Sequence, residues 1–326
     1  MSTGVSAGIF VTGGTGFLGR ALVRRLRDDG HAVRLLVRQA PSWAHADPGL
    51  DLVLGDLADR DAVRRASAGA RIIYHVGATT RGSAKDFHDG TIAGTQHVVD
   101  ACLEHGVGRL VHVSSLGVLA APTDAPPSAV DENAPVDRWP ERRGAYTHAK
   151  IAAERIVRDA TAQRGLPAVV IRPGQIVGPG AERVVPNATL ALGGFWLAVG
   201  PSRQTLPLVY LDDVVDAMRL AATVEGIEGR VFHVVDRHAV THGEYLARCT
   251  SHAGDIQVIR VPAGALGMAA AVVEWAGRVT RRDLPLTRYR VRALRPHQDL
   301  DLTAATTALG WVPRVGIVEG LRTTFG

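Results

Sequence analysis

In the stretch "AYTHAK", Tyr146 and Lys150 stand four residues apart, the spacing that sets two side chains on one face of a helix. An ammonium beside a phenol favours the phenolate and draws a pKa that is ordinarily near 10 toward working range. The pair therefore reads as a device for moving a proton. Of the 37 basic residues only Lys85 and Lys150 are lysines, so a drift toward arginine has left Lys150 in place. Earlier, "RLVHVSS" ends an apolar run in Ser114 and Ser115. A hydroxyl there can hold a carbonyl oxygen beside the phenol, although a bond within a turn is the ordinary role of either serine.

A second group of residues points to a phosphate ligand. "VTGGTGFLG" places glycines at Gly13, Gly14, Gly16 and Gly19, after the apolar run "GIFVT" and before "FLGRALVRRLRDDG", which has helical spacing and stops at Gly30. Strand, bare turn and helix together let the backbone approach a pyrophosphate that meets the free N–H groups of the helix N-terminus. Asp56 in "LGDLAD" follows another strand, where its carboxylate can accept from an adenine amino group or simply cap a helix. The second strand ends "VRLLVRQ", with no carboxylate at Val37 or Arg38 to hold a ribose hydroxyl. Arg38 can meet a 2′-phosphate, so NADP(H) is expected ahead of NAD(H) unless Arg38 is only a surface residue.

These residues need a scaffold, and the chain alternates strand and helix patterns. "AVRLLV", "LDLVLGD", "RIIYHVG", "RLVHVSS" and "AVVIRPG" read as strands, while "DRDAVRRASAG", "TIAGTQHVVDACLEHG" and "AYTHAKIAAERIVRDATAQRG" read as helices. Such alternation predicts an α/β Rossmann-type doubly wound parallel sheet. Residues 1–178 would form the dinucleotide-binding domain, with sheet elements also from about 207–235, and 179–326 a mainly substrate-binding portion. The polar, proline-rich "APTDAPPSAVDENAPVDRWP" is expected to be a loop over a site. A net charge of +5 is spread among interspersed acids, which argues against nucleic acid as a partner. The opening "MSTGVSAGIF" lacks a basic leader, and "VPAGALGMAAAVV" is too short to span a bilayer, so a cytoplasmic protein without stable membrane insertion is expected. Cys102 and Cys249 are read as core residues and no metal site is expected.

Taken together the motifs resemble the extended short-chain dehydrogenase/reductases, the NAD-dependent epimerase/dehydratase family. "TGGTGFLG" is similar to the family's phosphate turn, "GDLAD" to its adenine contact, "YHVGA" to a strand end, "HVSSLGVL" to the strand carrying a catalytic hydroxyl, "YTHAK" to Tyr-x-x-x-Lys and "IRPGQIVGPG" to the nicotinamide segment. The resemblance implies catalysis by Ser115, Tyr146 and Lys150. Cofactor contacts would come from Gly13, Thr15, Gly16, Phe17, Leu18, Gly19 and Arg38, from Asp56, Leu57, Val76, Gly77 and Ala78, and from Tyr146, Lys150 and Pro173. One departure is "TIAGT", where Thr91 takes the place of the family's asparagine. Thr80, Ser115, Gln175, Phe195 and Trp196 are candidates for substrate contact, with Phe195 and Trp196 alternatively core. The apolar segment "VVPNATLALGGFWLAVGPSRQTLPL" and the tail resemble the 3β-hydroxysteroid dehydrogenase branch. An apolar helix beside an arginine-rich one would cover the pocket or touch a membrane surface. The implied activity is interconversion of a secondary alcohol and a ketone on an apolar alkyl, polyketide-like or sterol-like small molecule. A nucleotide-sugar epimerase or dehydratase, or a non-catalytic dinucleotide sensor, are the alternatives, and a homodimer is left open.

Overall fold

The computed structural model describes residues 8–122, 129–280 and 286–326; part of the proline-rich loop and of the basic stretch near residue 280 lies outside the described residues. Its first half is a run of strand and helix pairs: β1 (Ile9–Thr12), α1 (Phe17–Asp28), β2 (Val33–Val37), β3 (Leu50–Leu54), α2 (Arg60–Ser67), β4 (Ile72–His75), α3 (Ala84–Phe87), α4 (Gly94–His105), β5 (Arg109–Val113), α5 (Ala145–Arg164) and β6 (Ala168–Pro173). The predicted strands and long helices are all present. An addition is the π-helical turn His88–Ala93 between α3 and α4. The reason lies in its neighbours: a Cβ on Gly90 would fall 2.2 Å from the Thr79 hydroxyl, so the widened turn carries a bare backbone where the preceding loop presses on it.

Seven parallel strands form the central sheet, and the last of them comes from later in the chain. After β7 (Gln175–Val177), β8 (Thr189–Leu192), β9 (Phe195–Val199), β10 (Thr205–Leu206), β11 (Leu208–Tyr210) and α6 (Leu211–Thr223), β12 (Val231–Val234) returns to pair with β6. The order is β12-β6-β5-β4-β1-β2-β3, so the chain reverses direction across the sheet between β1 and β4. Ligands of open α/β sheets bind at that switch point, beyond the carboxyl ends of the strands. Burial on both faces explains the continuous apolar strands: Phe10 and Ile73 face one helical layer, Val11 and Val111 the other.

The remaining elements are β13 (Val240–Thr241), α7 (His242–Ala253), β14 (Gln257–Val261), α8 (Ala263–Thr280), α9 (Arg288–Ala293), α10 (Thr303–Thr307) and α11 (Ile317–Phe325). Strands β14, β9 and β8 make a separate three-stranded sheet, and α8 packs on it through Leu266 and Ala270. No described helix is long and apolar enough to cross a membrane. Cys102 and Cys249 are buried and unbridged.

One buried ion pair joins three of these elements. Arg172 of β6 donates from Nε to Glu154 of α5 at 3.0 Å, and Ser114, at the end of β5, donates its hydroxyl to the same carboxylate oxygen at 2.6 Å. Both charged side chains are essentially inaccessible to solvent. Burial alone would raise the Glu154 pKa, but the Arg172 hydrogen bond and charge, with Ser114, hold it below the usual carboxylate range. A carboxylate with a lowered folded pKa contributes stability that is complete above its unfolded pKa and is lost as pH falls through the folded one. Glu154→Gln should therefore cost about 3–5 kcal/mol in urea unfolding at neutral pH, because it strands a buried guanidinium. The deficit relative to wild type should shrink in acid, below the ordinary carboxylate pKa; a loss under about 1 kcal/mol at neutral pH would show that the pair is dispensable.

Candidate active site

A cleft of about 1400 Å³ opens at the carboxyl ends of the sheet. Its floor is the glycine turn. Gly13 has φ +70°, and a Cβ there would lie 2.6 Å from the Gly77 Cα, so the turns after β1 and β4 touch backbone to backbone. Gly19 lets α1 settle on that turn, since its Cβ would meet the Gly13 carbonyl oxygen at 2.1 Å. Helix α1 has no side-chain cap and no acid in its first turn, which leaves its N–H groups and positive end open to the cleft. This chemistry fits a pyrophosphate.

The switch point is fixed by a buried histidine. One ring nitrogen of His75 bonds the Thr12 hydroxyl at 2.8 Å and the other the Thr95 hydroxyl at 2.9 Å, while the Gly77 N–H donates to Thr12 at 3.1 Å. Burial, reinforced by the charge of Lys150, pushes the His75 pKa down to about 3, so the ring is neutral and bridges a donor and an acceptor. Thr15, Gly16, Phe17 and Leu18 line the cleft beside the turn, and Val76, Gly77 and Ala78 line its opposite lip. Asp56 and Leu57 line it after β3; Asp56 accepts from the Ala58 N–H at 2.9 Å and has its other oxygen 3.9 Å from Arg38. The Arg38 side chain is 84% exposed and can swing toward a ligand.

Ser115, Tyr146, Lys150 and Pro173 line the same cleft. The two adjacent serines are separated by their partners: Ser114 is committed to Glu154, whereas the Ser115 hydroxyl accepts from Gly117 at 3.0 Å and keeps its own proton to offer. Tyr146 sits in the first turn of α5, edge-on to Phe87 with ring centroids 6.4 Å apart. Lys150 is buried and donates to the Val113 carbonyl at 2.8 Å. Burial lowers its pKa to about 8, against the pull of Glu154. The expected depression of the phenol is not found: desolvation raises the Tyr146 pKa above its ordinary value. Helical spacing brings the two residues to one face, but the ammonium is turned to the backbone of β5. A protonated phenol is suited to giving a proton rather than taking one.

A further contact positions this set and was invisible as a motif. Arg143, just before α5, bonds Asp137 at 2.7 Å, the Leu119 carbonyl at 3.1 Å and the Gly117 carbonyl at 3.2 Å. It ties the loop carrying Ser115 to the start of the helix carrying Tyr146. Burial would raise the Asp137 pKa, but hydrogen bonds from Tyr289, the Trp139 N–H and Arg143 bring it below its usual range. Thr91, at the departure from the family pattern, is buried and accepts from the Thr79 N–H at 2.9 Å, holding the loop that presents Thr80 and Arg81.

Toward the other end the lining gains apolar side chains, Val184, Val185, Pro186, Ala188 and Leu294, interspersed with Asn187, Thr189, Arg295 and His297. Thr80 and Gln175 also line it; Gln175 is engaged on both sides, accepting from the Asn187 N–H at 3.0 Å and donating to Tyr245 at 3.4 Å. Phe195 and Trp196 do not line the cleft. Trp196 is packed in a core cluster with Val177 and Tyr245, and Phe195 is exposed on the sheet's other face.

Residues 9–234 match the family described as the NAD dependent epimerase/dehydratase family. The chain is 31% identical over 324 residues to the 2-alkyl-3-oxoalkanoate reductase of Stenotrophomonas maltophilia, covering 96% of this chain and 97% of that one. It is 28% identical to the sterol-4-alpha-carboxylate 3-dehydrogenase (decarboxylating) of Saccharomyces cerevisiae, over 97% and 96% of the two chains. Among solved structures, the dTDP-glucose 4,6-dehydratase of Streptomyces venezuelae with NAD bound superposes with a TM-score of 0.72 at 23% identity, covering 97% of this chain and 95% of that one.

Gly13→Ala would force a Cβ into the Gly77 backbone at a positive φ. Calorimetric titration with NADH or NADPH should show at least tenfold weaker binding, roughly 1.4 kcal/mol or more, in a variant that still unfolds cooperatively. Undiminished affinity would mean that the dinucleotide does not use this turn.

Proposed function

The chain belongs to the NAD dependent epimerase/dehydratase family and is an oxidoreductase of that family, and from this premise we propose that it interconverts the ketone and secondary alcohol of an apolar 3-oxo or 3-hydroxy acid with NADP(H). The observation that carries the reading is the meeting, in one cleft, of Ser115, Tyr146 and a buried Lys150 with an open helix N-terminus on one side and a largely apolar segment, Val184 to Ala188, on the other. The glycine turn would hold the pyrophosphate, Asp56 and Leu57 the adenine end, and Lys150 with Pro173 the nicotinamide riboside end. When bound, the nicotinamide supplies or accepts the hydride. Ser115 would donate a hydrogen bond to the substrate oxygen, and Tyr146 would deliver the proton to that oxygen in reduction or remove it in oxidation. The buried Lys150 cation lies in the same cleft and favours negative charge that develops there.

The names of the two relatives share a chemical feature. In each, a carboxyl group is attached to the carbon next to the one that carries the reacting oxygen. A cation in the cleft would pair with such a group, and Arg81 is the residue proposed for it. Arg143 and Lys150 are engaged by Asp137 and the Val113 carbonyl, whereas Arg81 lines the cleft with no partner among the described residues.

Tyr146→Phe should lower turnover roughly 10²–10⁴-fold while leaving dinucleotide affinity nearly unchanged, because only the proton-transfer group is lost. Retention of half the wild-type rate would remove Tyr146 from the mechanism. Arg38→Ala should raise the Michaelis constant for NADPH roughly tenfold or more, as expected for a lost charged hydrogen bond of about 1.5–3 kcal/mol, and leave that for NADH alone. Equal loss for both cofactors would make Arg38 structural. In a panel assay, a 2-alkyl-3-oxo acid should be reduced faster than its methyl ester, and Arg81→Ala should erase the difference. Conversion of UDP-glucose, with no reduction of any 3-oxo acid, would instead establish the nucleotide-sugar reading.

A further inference from the structure

Helix α8 presents an apolar stripe to solvent. Met268, Val272 and Trp275, spaced at four and three residues, are 70%, 66% and 66% exposed on one face, while Leu266 and Ala270 on the other pack against β9 and α9. The sheet face that α8 covers also leaves Leu192, Phe195 and Ile259 exposed at its margin. Isolated surface apolar residues need no explanation, but a stripe that includes a tryptophan on an otherwise well-packed helix marks a contact.

The charge around the stripe identifies the contact. Between residues 260 and 295 the sequence has eight arginines against Glu274 and Asp283, an excess of six positive charges, while the whole chain carries +5. The chain outside this segment is therefore slightly negative, and the sequence around the apolar helix is locally basic: α9 carries Arg288, Arg290 and Arg292, Arg278 stands near the end of α8, and Arg281 and Arg282 lie outside the described residues. Within it Arg288 is paired with Glu274, and Arg292 is exposed on α9. An apolar helical face with a tryptophan, set in a basic segment, is the pattern that lies in the interface of an anionic bilayer.

We infer that α8 docks on the surface of a membrane containing anionic lipid, without crossing it. The chain that follows α9 supplies Leu294 and Pro296 to the cleft wall, so the docking segment and the cleft are joined by a short stretch of chain. The inference rests on exposure and charge, and stands or falls independently of the reaction.

The test is sedimentation of the full chain with vesicles of phosphatidylcholine alone, or with about a third phosphatidylglycerol. Wild type should co-sediment with the anionic vesicles only and be released in about 1 M salt, where charges are screened within roughly 3 Å. The triple variant Met268→Ser, Val272→Ser, Trp275→Ser should lose most of that binding while keeping wild-type turnover and unfolding midpoint. Trp275→Ser alone should weaken binding several-fold, which guards against misfolding of the triple variant. Absence of wild-type binding to anionic vesicles, or binding that the variants retain, would overturn the inference. So would light scattering that shows a wild-type dimer reduced to monomer by the triple variant, since a second copy would then cover the stripe.

Discussion

The carboxylate of Glu154 is the point on which the geometry of the proposed catalytic set hangs. It receives Arg172 from β6 and Ser114 from the end of β5, and it lies one helical turn beyond Lys150 on α5. The three elements that carry Ser115, Tyr146 with Lys150, and Pro173 are thus registered by one buried acceptor. A buried ion pair is a weak source of net stability, since apolar residues of equal volume often do as well. Its consequence is positional. An apolar replacement would fill the space but remove the acceptor shared by β5, β6 and α5, leaving the register of α5 to the Lys150–Val113 and Arg143 bonds and to packing.

The half of the cleft proposed to hold the dinucleotide follows a different rule, the exclusion of side chains. Gly13 and Gly77 approach so closely that neither turn tolerates a Cβ, and the neutral His75 ring between Thr12 and Thr95 holds the strands beneath them. The substrate half is looser. It is built from the segment after β7, from the loop held by Thr91 and from the chain after α9, all reached by tertiary contact rather than by the sheet. Such a division puts the proposed chemistry on the rigid sheet and leaves the surroundings of the substrate to loops.

How much of this was legible depended on whether the determinant was local. The glycine turn, the alternation of strands and helices and the Tyr146–Lys150 spacing are consequences of short-range periodicity and were readable. The resemblance points to Ser115 rather than Ser114, but the physical difference between them is not local: Ser114 is engaged by Glu154, forty residues away. The Arg143–Asp137 tie was hidden in an aperiodic loop, and its meaning arises only where that loop meets Gly117 and Leu119. Phe195 and Trp196 were read together as a pair, yet neighbours on a strand point to opposite faces, so one entered the core and the other the surface. The spacing of Tyr146 and Lys150 reports proximity of Cα positions, whereas the direction of the lysine head group is set by the Val113 carbonyl, so the phenol does not gain the expected depression of its pKa.

The central claim is that this cleft transfers hydride to the 3-carbon of an apolar acid. The direct measurement is to supply NADPH carrying deuterium at both hydrogens of the nicotinamide 4-carbon with a 2-alkyl-3-oxo acid and to examine the product by mass spectrometry and proton NMR. The account predicts a 3-hydroxy acid with one deuterium, at the 3-carbon and in a single configuration. A reduced product without the label would contradict it.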